Sequence, residues 1–181
     1  MPIKVNSTTI KALKVNTTNA KKAYANSTLV FSADVPIFEN GTLIDGATKS
    51  NFSIRTDISD GYGNKNCLEC VVQAVYDDWE YKHGYIEFDV TDYSSVEVEF
   101  LYPCWARYAD TNVWCGLDDE EAEDLGSAHY YSESTIETRT YDTKTLTGKH
   151  KFMVKLSLDS NTSDSTTASI NFIVRKIIGH A

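Results

Sequence analysis

The sequence predicts an all-β protein: an antiparallel two-sheet β-sandwich, jelly-roll-like, preceded by a short β-rich N-terminal arm. Two observations carry this prediction. From about residue 35 onward, apolar and polar residues alternate with a period of two, which is the pattern of strands that bury one face. Turn-forming residues separate these runs, and no segment has the long 3.6-residue periodicity of an amphipathic helix.

Several segments predict individual strands of the sandwich. The alternation directs one set of side chains inward: Ile86, Phe88, Val90, Val96, Val98, Phe100, Phe152, Val154, Leu156, Leu158, Ala168, Ile170, Phe172 and Val174. Residues 67–76 form a more continuous apolar run, which predicts a central strand. The pair Asn40-Gly41 between two β-favouring pieces predicts a tight hairpin. In all, we expect seven to nine strands in this part of the chain.

The first 33 residues contain a repeat with a ten-residue step. The tetrapeptide VNST at residues 5–8 is followed by VNTT at 15–18 and ANST at 25–28. Asn followed by Ser or Thr favours a tight turn, so each unit predicts a strand, a turn and a strand. Three units predict a small meander that needs a partner for stability; the alternative is a polar low-complexity leader. The predicted assembly residues are Val5, Asn6, Val15, Asn16, Tyr24, Asn26 and Phe31.

The net charge of −9 is unevenly distributed. Residues 1–33 contain five lysines and no acidic residue, whereas residues 34–181 hold the other 12 basic and all 26 acidic residues. We therefore predict a basic anchoring arm over 1–33 and an acidic sandwich domain over 34–181. The arm suits an acidic neighbour, and the alternative is a solvated tail. Nucleic acid is not an expected partner, because phosphate contacts need clustered basic residues.

Membrane insertion and export are not expected either. No apolar run approaches the roughly 20 residues that a membrane-spanning helix needs. The first residues lead into a polar segment without the apolar stretch of a signal peptide.

Four cysteines raise the question of a metal site or disulfides. Cys67 and Cys70 form a C-x2-C pair, with Cys104 and Cys115 downstream. Four thiolates suit zinc, but residues i and i+3 of a strand point to opposite faces, which opposes chelation. We predict no metal site and favour small buried apolar residues, with one or two disulfides as the alternative.

The acidic run at residues 118–124 is a second candidate for cation binding. It lacks the spaced ligands of an EF-hand loop. We therefore expect a solvated loop tip.

The segment 102–131 is rich in aromatic residues for a predicted connection and is the candidate ligand site. Trp and Tyr join a flat apolar face to a polar edge, which suits sugar rings and protein partners. The candidate contacts are Trp105, Tyr108, Trp114, Arg107, Asp110 and Asn112. Alternatively, the connection folds back and plugs the end of the sandwich. No catalytic motif is recognisable, so we predict no catalytic residue, no cofactor and no enzyme activity.

Two resemblances extend these predictions. The arm repeat, with Lys21, Lys22 and Tyr24 between its second and third units, resembles N-terminal modules of bacteriophage virion proteins. Residues 86–93, 146–152 and 169–172 are similar to carbohydrate-binding-module and galactose-binding-like sandwiches.

Together, these resemblances imply a structural accessory protein of a phage particle, such as a head or tail fibre, decoration or baseplate-type component. They imply that residues 1–33 bind other virion proteins within a homo-oligomer, and that the sandwich contacts a cell-surface glycan. They also imply synthesis in the cytoplasm of a bacterial host and a final location in the virion. The alternative function is a free carbohydrate-binding module without a virion role.

Overall fold

The computed structural model describes residues 34–56, 66–75, 79–102, 109–126, 135–160 and 167–181, together with six short strands between residues 4 and 32. The described residues contain no helix, and hence none long and apolar enough to cross a membrane. The arm strands are β1 (Lys4–Val5), β2 (Thr8–Thr9), β3 (Leu13–Val15), β4 (Thr18–Ala20), β5 (Lys22–Ala25) and β6 (Thr28–Ser32). The body strands are β7 (Asp34–Glu39), β8 (Thr42–Leu43), β9 (Thr48–Ser50), β10 (Ser53–Arg55), β11 (Cys67–Val75), β12 (Trp79–Asp89), β13 (Ser95–Tyr102), β14 (Ala109–Leu117), β15 (Glu123–Gly126), β16 (Thr135–Asp142), β17 (Lys149–Ser160) and β18 (Thr167–His180).

The body strands form two sheets. One has seven strands, in the order β10-β11-β18-β13-β16, with β7 pairing both β18 and β8. The other has five strands, in the order β15-β14-β17-β12-β9. Each of these pairings is antiparallel. The antiparallel two-sheet sandwich that the alternation predicts is therefore confirmed.

The core lies between the two sheets. All fourteen of the residues that the alternation directs inward are buried in one continuous cluster. At its centre the ring of Phe152, from the five-stranded sheet, lies 6.4 Å from Phe100 and 6.3 Å from Phe172 of the opposite sheet, measured between ring centroids. Burial of these large rings supplies much of the free energy that holds the sheets together.

An ion-pair bridge closes one edge of the sandwich. Arg139 on β16 donates from Nε to Glu123 on β15 of the other sheet at 2.6 Å, and its guanidinium also pairs with Glu137 at 2.5 Å. The same guanidinium lies 5.8 Å from the ring centroid of Phe100. The bridge therefore joins the edge strands of both sheets directly over a core ring.

The predicted hairpin and the predicted central strand are both present. Phe38 pairs with Leu43 and Glu39 with Thr42 across the turn. Asn40 and Gly41 between them have φ angles of 49° and 80°, the left-handed region that a two-residue hairpin turn requires. Strand β11 is paired on both sides, by β10 and β18, as expected of a central strand.

The connection predicted over 102–131 is the main departure from the sequence analysis. It contains β14 and β15, and the described part of the body has twelve strands rather than seven to nine. Strand β14 escaped the alternation because its inner face carries Thr111, which is buried, while its outer face carries Trp114. A polar residue inside and an aromatic residue outside cancel the contrast on which the pattern depends.

The arm strands form three hairpins, one for each repeat unit. The innermost pairs are Val5 with Thr8, Val15 with Thr18 and Ala25 with Thr28, so two residues separate the strands each time. Each hairpin is its own two-stranded sheet, whereas the repeat predicted one meander. Of the predicted assembly residues, Val5, Val15, Tyr24 and Phe31 lie in these strands. The other three, Asn6, Asn16 and Asn26, lie outside the described residues, and the boundary between arm and body stays a prediction.

Candidate ligand-binding face

The candidate site is the outer surface of the five-stranded sheet. Side chains alternate along a strand, so the burial of Ile86 and Phe88 directs the odd-numbered residues of β12 outward. The same rule applied to β17 and β14 defines a surface that we call the aromatic face. Its residues are Trp79, Tyr81, His83, Asp110, Asn112, Trp114, Lys155, Ser157 and Asp159.

Strand register arranges these nine residues in three rows across three neighbouring strands. The first row joins Trp79, Asp159 and Asp110, the second Tyr81, Ser157 and Asn112, and the third His83, Lys155 and Trp114. Directly opposed side chains have Cβ atoms about 5 Å apart. The aromatic rings at the two flanks therefore enclose a central strip of polar side chains.

Trp79 and Tyr81 are the most exposed aromatic residues among those described, at 60% and 48%. Their rings stack with centroids 5.7 Å apart and planes 22° from parallel. The indole Nε1 of Trp79 donates a hydrogen bond to the hydroxyl of Ser157 at 2.9 Å. This bond fixes the ring orientation before any ligand arrives, which lowers the entropy lost on binding.

Lys155 occupies the centre of the third row. Its ammonium nitrogen lies 5.1 Å from the ring centroid of Trp114 and 5.7 Å from that of Tyr81, within the range of cation–π attraction. The same nitrogen forms an ion pair with Glu121. The hydrogen bond that Lys155 donates to Glu121 raises the pKa of Lys155. The ammonium thus lies between the two aromatic flanks of the face.

Glu121 belongs to a turn, residues 118–122, that lies against one end of this surface. We call it the acidic turn. Asp118 pairs with His150 and accepts a hydrogen bond from the backbone N–H of Lys151 at 2.9 Å. Glu120 lies 2.9 Å from His83. The sequence analysis expected a solvated loop tip here, but three of its carboxylates pair with cationic side chains or histidines of the sheet.

A glycine allows this close approach. A Cβ atom added at Gly116 would lie 2.1 Å from the backbone oxygen of Asp119 and 2.7 Å from the Cβ of Ala122. Only a residue without a side chain leaves room for the acidic turn at this point. The position of Glu121 beside Lys155 is therefore determined by the backbone as well as by the ion pairs.

Three of the six candidate contacts predicted from the sequence lie on the aromatic face. Asp110, Asn112 and Trp114 share the outer side of β14. The other three, Trp105, Arg107 and Tyr108, lie outside the described residues. No finding tests whether any of the six contacts a ligand. The predicted contacts did not include Trp79, Tyr81, Lys155, Ser157 or Asp159. Because Ile86 and Phe88 point inward, alternation along the strand indicates that Trp79 and Tyr81 point outward.

The three described cysteines lie away from this surface. Cys70 and Cys115 belong to the main core, whereas Cys67 belongs to a small cluster with Leu101 and Ile173. Burial raises the pKa of both Cys70 and Cys115 to about 12. Within the described ranges Cys70 and Cys115 are free thiols, and no group of three or more potential ligands is placed to hold a metal. Cys104 lies outside the described residues.

Comparison with known proteins gives structural similarity without sequence similarity. The sequence matches no protein-family model and no curated protein. Its backbone is similar to a two-domain esterase active on acetylated mannans, with a TM-score of 0.44 and 12% identity over 82% of this chain. The chain spans only 36% of that esterase.

Two carbohydrate-binding modules are also similar. TmCBM61, solved with β-1,4-galactotriose, has a TM-score of 0.41 and 10% identity over 76% of this chain and 90% of its own. A family 35 module from Clostridium thermocellum has a TM-score of 0.35 and 14% identity over 81% of this chain and 98% of its own. Since all these TM-scores lie below 0.5, the similarity does not assign a function to the chain.

Proposed function

We propose that the protein binds a glycan on the aromatic face and acts by recognition rather than by catalysis. The observation that carries the proposal is the exposed, stacked pair of Trp79 and Tyr81, with the Trp79 indole held by Ser157. Large exposed apolar surfaces rimmed by polar groups mark binding sites in proteins. An anchored ring is the kind of exposed aromatic residue that a sugar ring can use without a large ordering cost.

The chemistry of the face suits a hydroxyl-rich ligand with apolar ring faces. Trp79, Tyr81 and Trp114 offer flat surfaces, and other residues of the same three rows offer carboxylate and amide groups from Asp110, Asn112 and Asp159. Hydrogen bonds between hydroxyls and carboxylates are charge-assisted, and hence stronger than neutral ones. Because the aromatic residues lie on two strands separated by β17, the face fits a chain of several sugars better than a single sugar.

The test is a binding titration with neutral polysaccharides, starting with β-1,4-galactan and β-mannan. Trp79→Ala is expected to weaken binding roughly thirtyfold, since the loss of an aromatic anchor costs about 2 kcal/mol. The matched control is Ile136→Ala, which removes a side chain with 44% exposure from the other sheet. Equal binding by both variants and the native protein contradicts the proposal.

We propose a second role for the arm, as the anchor of the protein in a larger assembly. Three two-stranded hairpins with the same ten-residue step support this proposal, because isolated hairpins are marginally stable and gain from further pairing. The five lysines of residues 1–33 favour an acidic partner. With the resemblance of the repeat to phage virion modules, the specific form of the proposal is a virion accessory protein that displays the sandwich toward host glycans.

The mass in solution tests this second role. The full chain is expected to form an oligomer, and a chain that begins at Ala33 is expected to be monomeric. Two monomers would contradict self-assembly through the arm. Detection of the protein in purified phage particles, and loss of that association without residues 1–32, tests the virion location separately.

A further inference from the structure

We propose that Glu121 determines the charge of the glycan that the aromatic face accepts. With Glu121 paired to Lys155, the face takes neutral chains; without that carboxylate, it takes chains that carry uronate groups. This inference rests on the glycan-binding function proposed above and concerns the same surface.

The position of Lys155 is the first argument. Its ammonium lies between Tyr81 and Trp114, the rings on which a sugar chain across β12, β17 and β14 would stack. An uncompensated cation at that point would attract any ligand carboxylate that passes over it. The carboxylate of Glu121 already occupies this role. The protein therefore supplies its own counter-ion at the point of the face where the carboxylate of an acidic sugar would otherwise bind most strongly.

The second argument is that the acidic turn is held in place independently of Lys155. Asp118 and Glu120 bind His150 and His83, and the backbone of Asp118 donates to the carbonyl of Lys151 at 2.7 Å. Contact of the turn with Gly116 adds a steric constraint. Because several contacts fix the turn, Glu121 stays near the ammonium without depending on the attraction between the two charges.

The third argument is the charge of the rest of the surface. The neighbouring lysine on the outer side of β17, Lys151, lies 4.4 Å from the ring centroid of Tyr85 and pairs with Glu87. Each described lysine on this side of β17 therefore has a glutamate partner, and Lys149 and Lys151 share Glu87. The first row adds the carboxylates of Asp110 and Asp159. A polyanionic chain would meet more negative than positive charge along the face.

The experiment compares two probes that differ in charge: polygalacturonate and the same polymer with its carboxylates methyl-esterified. Native protein is expected to bind the esterified or another neutral polymer at least about tenfold more tightly than polygalacturonate, the ratio that one lost charge-assisted hydrogen bond produces. Glu121→Gln is expected to raise the affinity for polygalacturonate by about tenfold, with an effect that declines as salt is added. Adding Lys155→Gln to that variant is expected to remove the gain.

Glu39→Gln is the matched control, because it removes the same charge from an exposed position on the other sheet. Circular dichroism and a denaturation curve confirm that each variant is folded. If Glu121→Gln behaves like Glu39→Gln, or if the native protein prefers polygalacturonate, this inference is overturned while glycan binding stands. If neither the native protein nor Glu121→Gln binds any polysaccharide, both proposals are overturned.

Discussion

The two sheets present opposite kinds of outer surface to solvent. The five-stranded sheet exposes the stacked rings of Trp79 and Tyr81. The seven-stranded sheet exposes an ionic face, which we define by its charged residues: Arg55, Glu69, Glu97, Glu99, Arg175 and Lys176. Charges are paired on both surfaces, and the seven-stranded sheet also exposes Ile54 and Ile136 on its edge strands, but among the described residues the exposed stacked aromatic pair lies on the five-stranded sheet.

This contrast separates the residues that determine the fold from those that determine function. Both sheets bury the same period-two pattern of aliphatic and aromatic residues in one cluster, and exchange of one apolar residue for another there changes packing rather than recognition. On the ionic face, Lys176 reaches both Glu97 and Glu99. Those carboxylates are already engaged, whereas Trp79 and Tyr81 leave 60% and 48% of their surface exposed.

The largest expected effect is a loss of stability of the whole sandwich, which affects both faces together. Phe152→Ala removes a fully buried ring that contacts Phe100 and Phe172 of the opposite sheet. Such a truncation costs about 3–5 kcal/mol. Urea denaturation followed by tryptophan fluorescence and by circular dichroism is expected to show one coincident transition, shifted by this amount. Met153→Ala, on the outer side of the same strand, is the control, and an equal loss in both variants would contradict the assignment of the core.

A smaller effect is expected at the acidic turn, and it alters one face only. Gly116→Ala places a methyl group against the backbone of Asp119, and overpacking of this kind costs about 1–3 kcal/mol. The displaced turn moves Glu121 away from Lys155. We therefore expect a lower free energy of unfolding together with a gain in polygalacturonate binding, as for Glu121→Gln. If the variant loses stability but keeps the native ligand preference, the position of the acidic turn does not determine which ligand is bound.

On the ionic face, the same kind of change is expected to have little effect. Glu99→Gln weakens the ion pairs with Arg175 at 3.5 Å and Lys176 at 3.7 Å. Partly exposed pairs contribute about 0–1 kcal/mol, so the unfolding midpoint is expected to move little. Titration with neutral polysaccharide is expected to match the native protein. A loss of affinity comparable to that of Trp79→Ala would show that the ligand binds the seven-stranded sheet and not the aromatic face.

The sequence predicted the inner side of the sandwich better than its outer side. The burial of Val96, Val98 and Phe100 follows from alternation alone, because all three residues lie in one strand and no information on strand pairing is needed. The aromatic face depends on register: Trp79 and Trp114 are 35 positions apart in the sequence and share a surface only because β17 pairs with both their strands. The period-two pattern predicts whether each residue faces inward or outward, but it does not predict which strands are neighbours.

The acidic turn illustrates a further limit of the sequence analysis. A run of carboxylates usually belongs to a solvated segment, and nothing local in residues 118–124 indicates otherwise. Their partners, His83, His150 and Lys155, lie on two strands elsewhere in the chain. Only the paired sheet brings them together. Gly116 is the one local signal, since a glycine within a strand often marks a close backbone approach.

The smallest expected effect is a pH-dependent change in stability where the acidic turn is attached to the sheet. The hydrogen bond that His150 Nδ1 donates to Asp118 raises the pKa of His150 above its usual value near 6.5. A group whose pKa is raised on folding adds stability below its unfolded pKa, and that stability is lost as pH rises through the folded pKa. The native protein is therefore expected to exceed Asp118→Asn in stability most clearly below about pH 6.5. The difference should narrow at higher pH, because an amide oxygen at position 118 still accepts the hydrogen bond from Lys151 N–H.

Proton NMR of the imidazole measures the pKa directly, and urea denaturation at several pH values measures the stability. Asp119→Asn is the control, because Asp119 is an exposed carboxylate in the same turn whose side chain caps the N–H of Glu121 rather than a histidine. A His150 pKa that is unchanged in Asp118→Asn would show that this ion pair does not hold the turn in solution. The position of Glu121 would then rest on the contact of the turn with Gly116, on the Glu120–His83 pair and on the backbone hydrogen bond from Asp118 to Lys151.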